Sequence, residues 1–277
     1  MLPEGIAVTE TSCKTALNKT GIPGYQYCLN PYVGCAHACV YCYASFMCRF
    51  RGRREPWGTF VECKINFPAV LERQLKRLGP KGGSILTGTV TDPYQQAEAS
   101  YCLTRSCLEA LAPYPSLELG ILTKSALVLR DLSLLQKLKC CTVGFSITTM
   151  SNEAARVLEP GASPPGLRLA AARQLSEAGV PVWVFIAPLL PGVGDSGEAL
   201  SALFGALKKA GVREVMADTL TAYPLAVGRL RQVYRRYFPA SLKVLEWYLK
   251  DSPDYRMIID DRMNKLARDN GINFSSV

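Results

Sequence analysis

Between residues 84 and 218, runs of β-branched and other apolar residues recur at nearly even spacing, and amphipathic stretches fill the gaps between them. The runs predict strands at 84–89 (SILTGT), 117–123 (LELGILT), 142–149 (TVGFSITT), 181–187 (PVWVFIA) and 212–218 (VREVMAD), with a shorter strand leading into Cys35. Apolar residues at helical spacing predict helices at 67–78, 102–112, 127–138, 166–178 and 197–210, several of them stopped by Gly or Pro. Beyond about residue 220 the pattern predicts two further helices. Strands alternating with helices specify a parallel sheet with right-handed crossovers. Six such units are too few to close an eight-stranded barrel, so the expected class is α/β, a curled and partly open (β/α)6 barrel with a C-terminal helical extension. Ligands of such sheets sit at the carboxyl ends of the strands, so the residues just after each strand carry the functional expectation.

Composition adds bounds. With 277 residues, 48% hydrophobic, the chain can bury a sizeable core as a single domain. No convincing linker divides it: residues 1–277 read as one domain, its core about 29–220 and its extension about 221–277. Eleven cysteines, spread from Cys13 to Cys141 without a dense regular framework, suit a reducing compartment. The start, MLPEGIAVTETSCK, lacks the order of a signal peptide. The longest uncharged stretch, 178–194, is short of a membrane span and is interrupted by Pro181, Pro188 and Pro191. A cytoplasmic protein with no membrane contact is expected; nothing in the pattern fixes an oligomeric state.

The net charge is +9, and His37 is the single histidine. Basic residues cluster at 49–54 (RFRGRR) and 229–236 (RLRQVYRR), the second followed by Tyr237, Phe238, Trp247 and Tyr248. Arginine beside aromatics suits phosphate contact and base stacking, and a solvated helix face has the same composition.

The densest chemistry lies in NPYVGCAHACVYCYA, residues 30–44. Cys35, Cys39 and Cys42 follow a C-x3-C-x2-C pattern, close enough for one loop to aim three thiolates at one centre. Iron-sulfur clusters are held at such spacings, and three thiolates leave the fourth iron of a 4Fe-4S cluster open. A zinc site completed by His37 or another cysteine uses the same residues, although no second C-x-x-C completes a zinc ribbon.

The pattern resembles the signature of the radical S-adenosylmethionine (radical SAM) enzymes, in which the open iron is chelated by the amino and carboxylate groups of SAM. Further segments resemble the spore photoproduct lyase-like branch: GTVTDPYQQAE (88–98), LTRSCLEAL (103–111), LTKS (122–125), LRDLSLL (129–135), FSITTM (145–150), LEPGASPPGLRL (158–169), LSEAGVPV (175–182) and APLLPG (187–192). Together they cover about residues 29–220 and leave the rest uncovered. The resemblance implies a 4Fe-4S cluster on Cys35, Cys39 and Cys42, with SAM and a one-electron reductant of flavodoxin or ferredoxin type as partners. It implies reductive cleavage of SAM to methionine and a 5'-deoxyadenosyl radical, which takes hydrogen from a substrate.

By the same resemblance Lys124 and Ser125 contact SAM, with Ser146 a further polar contact. Thr89, Thr91 and Asp92 stand where the common Gly-Gly-Glu signature receives the methionine ammonium. Glu159 and Arg168 are placed to hold the ribose hydroxyls. Tyr41 and Tyr43 stand where the lyases carry tyrosines tied to radical transfer, and aromatic packing suits the same positions. One departure concerns the reaction: the lyases have a hydrogen-donating cysteine in a Cys-Thr-Ser-Asp context, and this chain has Thr89-Val90-Thr91-Asp92. The expected activity is therefore hydrogen abstraction from an unspecified substrate, with a nucleic acid or nucleotide favoured by charge and relatives. A protein, peptide or small-metabolite substrate is the alternative enzyme reading, and a metal-stabilised nucleic-acid-binding module the alternative without catalysis.

Overall fold

The computed structural model describes residues 5–50, 52, 54–78 and 82–277, so Arg51 and Arg53 of the first basic cluster and the first four residues lie outside it. Two compact units divide the chain. The first comprises the described residues of Met1–Ala38, Ala44–Gly144 and Ala178–Pro181, and the second comprises Cys39–Tyr43, Phe145–Glu177 and Val182–Val277.

The first unit carries strands β1 (Ala7–Thr11), β2 (Asn18–Lys19), β3 (Tyr27–Leu29), β4 (Tyr32–Val33), β5 (Phe60–Lys64), β6 (Gly83–Thr87), β7 (Leu117–Thr123) and most of β8 (Cys141–Ser146). A small sheet runs β1-β5-β4, and the larger set runs β2-β3-β6-β7-β8. β6 pairs parallel with β3 on one side and with β7 on the other. Helix Phe67–Leu78 buries Phe67, Val70, Leu71 and Leu75 on one face, as its i, i+3, i+4 spacing requires.

The second unit holds the end of β8, then β9 (Val182–Leu189), β10 (Glu214–Thr219) and β11 (Asn273–Ser276), in the order β9-β10-β11 with parallel pairing. Its helices include Asn152–Leu158, Pro165–Glu177, Gly197–Lys209, Pro224–Tyr237, Leu242–Lys250 and Ser252–Asn270. Helix Gly197–Lys209 turns Leu200, Leu203, Phe204 and Leu207 inward and is capped by the Ser196 hydroxyl, which accepts from Ala199 N.

The expected α/β class holds: the sheet is mostly parallel, and no closed barrel forms among the described residues. Three expectations change in detail. The short strand leading into Cys35 is β4, paired in the small sheet, while β3 supplies the parallel neighbour of β6. The helix expected at 127–138 is a 3-10 turn, Ala126–Asp131, followed by the four-residue helix Leu132–Leu135. Ser125 caps that turn, and the Asp131 carboxylate is held by Arg105, Arg130 and Tyr94. The tail contains three helices rather than two, followed by β11, a polar strand whose Asn273 N donates to Arg213 O. No described helix is long and apolar enough to cross a membrane.

Candidate functional site

β4 delivers the chain to Gly34, whose φ of 80° belongs to the left-handed region. A side chain there would run into the carbonyl and ring of Phe60. The turn is gripped from the segment after β6: Thr91 Oγ1 donates to Gly34 O at 2.6 Å, Gln95 Nε2 donates to Thr91 Oγ1 at 2.9 Å, and Ala36 N donates to Gln95 Oε1 at 2.8 Å. Ala38 N closes a turn onto Cys35 O at 3.2 Å with Ala38 at φ 52°, and Gly58 leaves room for its methyl group. Cys35 is buried there.

Asp92 organises the strand ends of this unit. Its Oδ1 accepts from Thr123 Oγ1 at 2.7 Å and from Tyr94 N at 2.9 Å, and its Oδ2 accepts from Lys124 N at 2.7 Å. Buried His37 places Nδ1 3.3 Å from the same Oδ2. Burial alone would raise the Asp92 pKa, but His37, Thr123 and the Lys124 amide outweigh it and hold the carboxyl at about 2. Asp92 therefore fixes Lys124 through its amide and Ser125 by way of Thr123, whose Oγ1 accepts from Ser125 N at 3.0 Å, with both carboxylate oxygens engaged. Ser125 Oγ accepts from Leu127 N at 3.2 Å. Thr89 is set by Asn30, whose Nδ2 donates to Thr89 Oγ1 at 2.8 Å and whose Oδ1 accepts from the amides of Thr89 and Val90.

In the second unit a buried cluster surrounds Tyr41. Its hydroxyl donates to Glu159 Oε1, which also accepts from Thr148 Oγ1 at 3.0 Å, while Glu159 Oε2 pairs with Arg168 Nη2. Arg168 also donates to Ser146 O at 2.8 Å and to Ser163 O at 2.6 Å. Burial and then the Glu159 charge push the Tyr41 hydroxyl well up from its ordinary value, so it stays protonated. Burial works against the charge of Arg168, but Glu159 prevails and its pKa is raised. Val40 N donates to Leu158 O at 2.9 Å, and Cys42 N to Cys39 O at 3.1 Å. Arg229, from helix Pro224–Tyr237, donates from Nε to Val40 O at 3.0 Å and from Nη2 to Cys42 O at 3.4 Å.

The expected residues thus fall into two groups: Thr89, Thr91, Asp92, Lys124 and Ser125 in the first unit, and Tyr41, Ser146, Glu159 and Arg168 in the second. Glu159 and Arg168, expected at the ribose, are bonded to each other. Tyr43 is 44% exposed. Sequence reasoning did not single out Asn30, Gln95, Thr148 or Arg229. Asn30 and Gln95 lie inside segments already quoted, whereas Arg229 was legible only as part of a basic run.

No disulfide forms, so all eleven cysteines remain thiols. Cys35, Cys39 and Cys42 are a soft-donor set of the kind an iron-sulfur cluster takes, and His37 is committed to Asp92. Among the described residues no three His, Cys, Asp or Glu side chains gather as a metal-binding group, so the ligand set stands on donor chemistry and spacing.

The α/β class and the three-cysteine spacing agree with what a comparison of the sequence finds. The family model of the Radical SAM superfamily matches residues 29–204, and the chain belongs to that family. It is thus a radical SAM enzyme, and its cofactors are a 4Fe-4S cluster and SAM. The uncharacterized protein Rv2578c of Mycobacterium tuberculosis is 35% identical over 266 residues, spanning 87% of this chain and 78% of that one. A spore photoproduct lyase complexed with dinucleoside spore photoproduct shares the fold with a TM-score of 0.71 at 18% identity, over 98% of this chain and 82% of the other. Streptococcus suis SuiB bound to S-adenosylmethionine shares it with a TM-score of 0.56 at 15% identity, over 99% of this chain and 51% of SuiB.

Asp92→Asn is expected to cost about 2–3 kcal/mol at pH 7, the equivalent of the shift from 3.8 to about 2. Because the folded pKa is depressed, this stability is present above pH 3.8 and is lost as pH falls toward 2. Urea unfolding of parent and variant across that range should show the difference vanishing in acid. A deficit constant from neutral pH down to 2 would show that the Asp92 charge is not its source.

Proposed function

We propose that the chain uses its radical SAM chemistry on a nucleic acid or a nucleotide derivative, and that the reaction is not repair of spore photoproduct. The observation that carries this reading is the fold shared over 98% of the chain with a lyase complexed with a dinucleoside. Arg235 and Arg236, both exposed in the last turn of helix Pro224–Tyr237, supply charge for phosphate contact. Against photoproduct repair stands Thr89, which heads Thr89-Val90-Thr91-Asp92 where the lyases have a donor thiol in Cys-Thr-Ser-Asp.

In this reading Cys35, Cys39 and Cys42 hold three irons of the cluster. When bound, the cluster with SAM supplies one electron that releases methionine and a 5'-deoxyadenosyl radical. Lys124 gives the SAM carboxylate a cation, with its backbone pinned by Asp92. Ser125 and Ser146 are the further polar groups assigned to SAM, and Thr89 and Thr91 stand with Asp92 for the methionine ammonium. Asp92 acts on the SAM ammonium through the groups it orders, and Glu159 with Arg168 reaches the ribose only through the loop they brace. Tyr43, 44% exposed, is the tyrosine of the pair that meets substrate, whereas Tyr41 is buried with its hydroxyl on Glu159. The chain works as one domain in the cytoplasm, fed by a flavodoxin- or ferredoxin-type reductant, in a reaction of lyase or transferase type.

A second reading, a protein, peptide or small-metabolite substrate, is favoured by one observation. Arg231 of the basic run is spent on Glu246, at 2.7 and 2.8 Å, and Arg229 on the cysteine loop, which leaves fewer arginines for phosphate.

Reduced protein should cleave SAM slowly to 5'-deoxyadenosine without substrate, and Lys124→Ala should raise the SAM dissociation constant about ten- to hundredfold, the worth of one charge-assisted contact. An unchanged constant removes Lys124 from the site.

For the substrate, log affinity for DNA or RNA should fall linearly with log salt, by about 0.9 per phosphate neutralised on duplex DNA and about 0.7 on single strands. Neutralising Arg235 and Arg236 together should flatten that slope by roughly one to two units and leave SAM cleavage intact. Weak binding that the double variant does not change favours the second reading, and clean conversion of spore photoproduct to two thymines overturns the exclusion of repair.

A further inference from the structure

We propose that Arg229 is a positioning residue for the cluster: it locks the backbone between Cys39 and Cys42 in the conformation that presents both thiolates. The inference rests on the reading that these cysteines are cluster ligands.

The segment Cys39–Cys42 has no regular strand or helix to set it beyond the turn from Cys42 N to Cys39 O. Its conformation must come from partners distant in sequence. Val40 is held at both ends of its peptide units, with its amide on Leu158 O at 2.9 Å and its carbonyl under Arg229 Nε at 3.0 Å. Arg229 Nη2 reaches the Cys42 carbonyl at 3.4 Å, and Tyr41 is anchored on Glu159.

Two carbonyls two residues apart, pointing toward one side, match the planar fork of a guanidinium; a lysine would bring a point charge without that geometry. The helix that carries Arg229 is fixed by Ala226, Leu230 and Tyr234, each 0% exposed, and Tyr234 OH donates to Pro191 O at 3.0 Å. The neighbouring arginines point elsewhere: Arg231 is paired with Glu246, and Arg235 and Arg236 are exposed. Position 229 lies beyond residues 29–204 of the family match. Its positive charge beside the main chain of a thiolate ligand also eases reduction of the cluster, by favouring the more negative state.

The test compares the parent with Arg229→Ala, Arg229→Lys and, as a control on the same helix, Arg231→Ala. In the metal-free chain, amide hydrogen exchange across residues 39–43 should speed up about 10–100-fold in Arg229→Ala, the loss of one charge-assisted hydrogen bond. After anaerobic reconstitution, iron release to a chelator should speed up by a similar about 10–100-fold, the usual effect of an outer-shell partner, with the cluster potential moving more negative. Arg229→Lys should restore the potential more fully than the exchange protection. Unchanged exchange and iron release in Arg229→Ala overturn the proposal, and so does an equal acceleration in Arg231→Ala. If Arg229→Ala does not fold, Arg229→Gln takes its place, with the same outcomes deciding. Cys35→Ala, reconstituted alongside, separates the two readings: a full cluster there refutes the ligand assignment, while exchange in the metal-free chain still decides the role of Arg229.

Discussion

The buried pair of Glu159 and Arg168 is the constraint on which the cysteine loop of the second unit depends. Each side chain is almost fully buried, at 2% and 1% exposure, where an unpaired charge would be costly. The pair is satisfied beyond its own attraction, because Tyr41 and Thr148 donate to the carboxylate and two backbone carbonyls accept from the guanidinium. Removing either partner would strand the other, a loss of about 3–5 kcal/mol for buried pairs in general. What the arrangement secures is the position of Tyr41, one residue before Cys42, a cluster ligand in the proposed reading.

The first unit solves the corresponding problem around Cys35 with neutral groups and one carboxylate. Thr91 and Gln95 grip the backbone on either side of the cysteine, and Asp92 binds the loop histidine and the Lys124 amide together. The acid that the sequence assigns to the SAM ammonium also organises the residues around it. Lys124 is held after β7 by its amide, which donates to Asp92 Oδ2 at 2.7 Å.

Much of this was legible in the sequence wherever the signal was local. Strand Leu117–Thr123 and helix Phe67–Leu78 occupy the residues their periodicity marks. The C-x3-C-x2-C loop and the ordered segments around it led to the family that the match over residues 29–204 establishes. What escaped was non-local. Glu159 lies 118 residues from Tyr41, and Arg229 lies 189 from Val40, so neither partnership leaves a trace in spacing. The helix expected near residue 130 became a 3-10 turn because Ser125 caps it and Asp131 turns its carboxylate to Tyr94 and Arg105 from other segments and to its neighbour Arg130. Strand β11 is polar and mostly exposed, so its pairing with β10 rather than any alternation of its own defines it.

The central claim is that three thiolates hold a cluster whose remaining iron is left for SAM. Electron paramagnetic resonance of the anaerobically reconstituted, reduced protein, recorded with and without SAM, tests it most directly. The account predicts about four irons and four sulfides per chain, a cluster signal whose g values shift on adding SAM, and loss of that signal when Cys35, Cys39 or Cys42 is replaced by alanine. Stoichiometric zinc without sulfide, or a cluster signal indifferent to SAM, would contradict it.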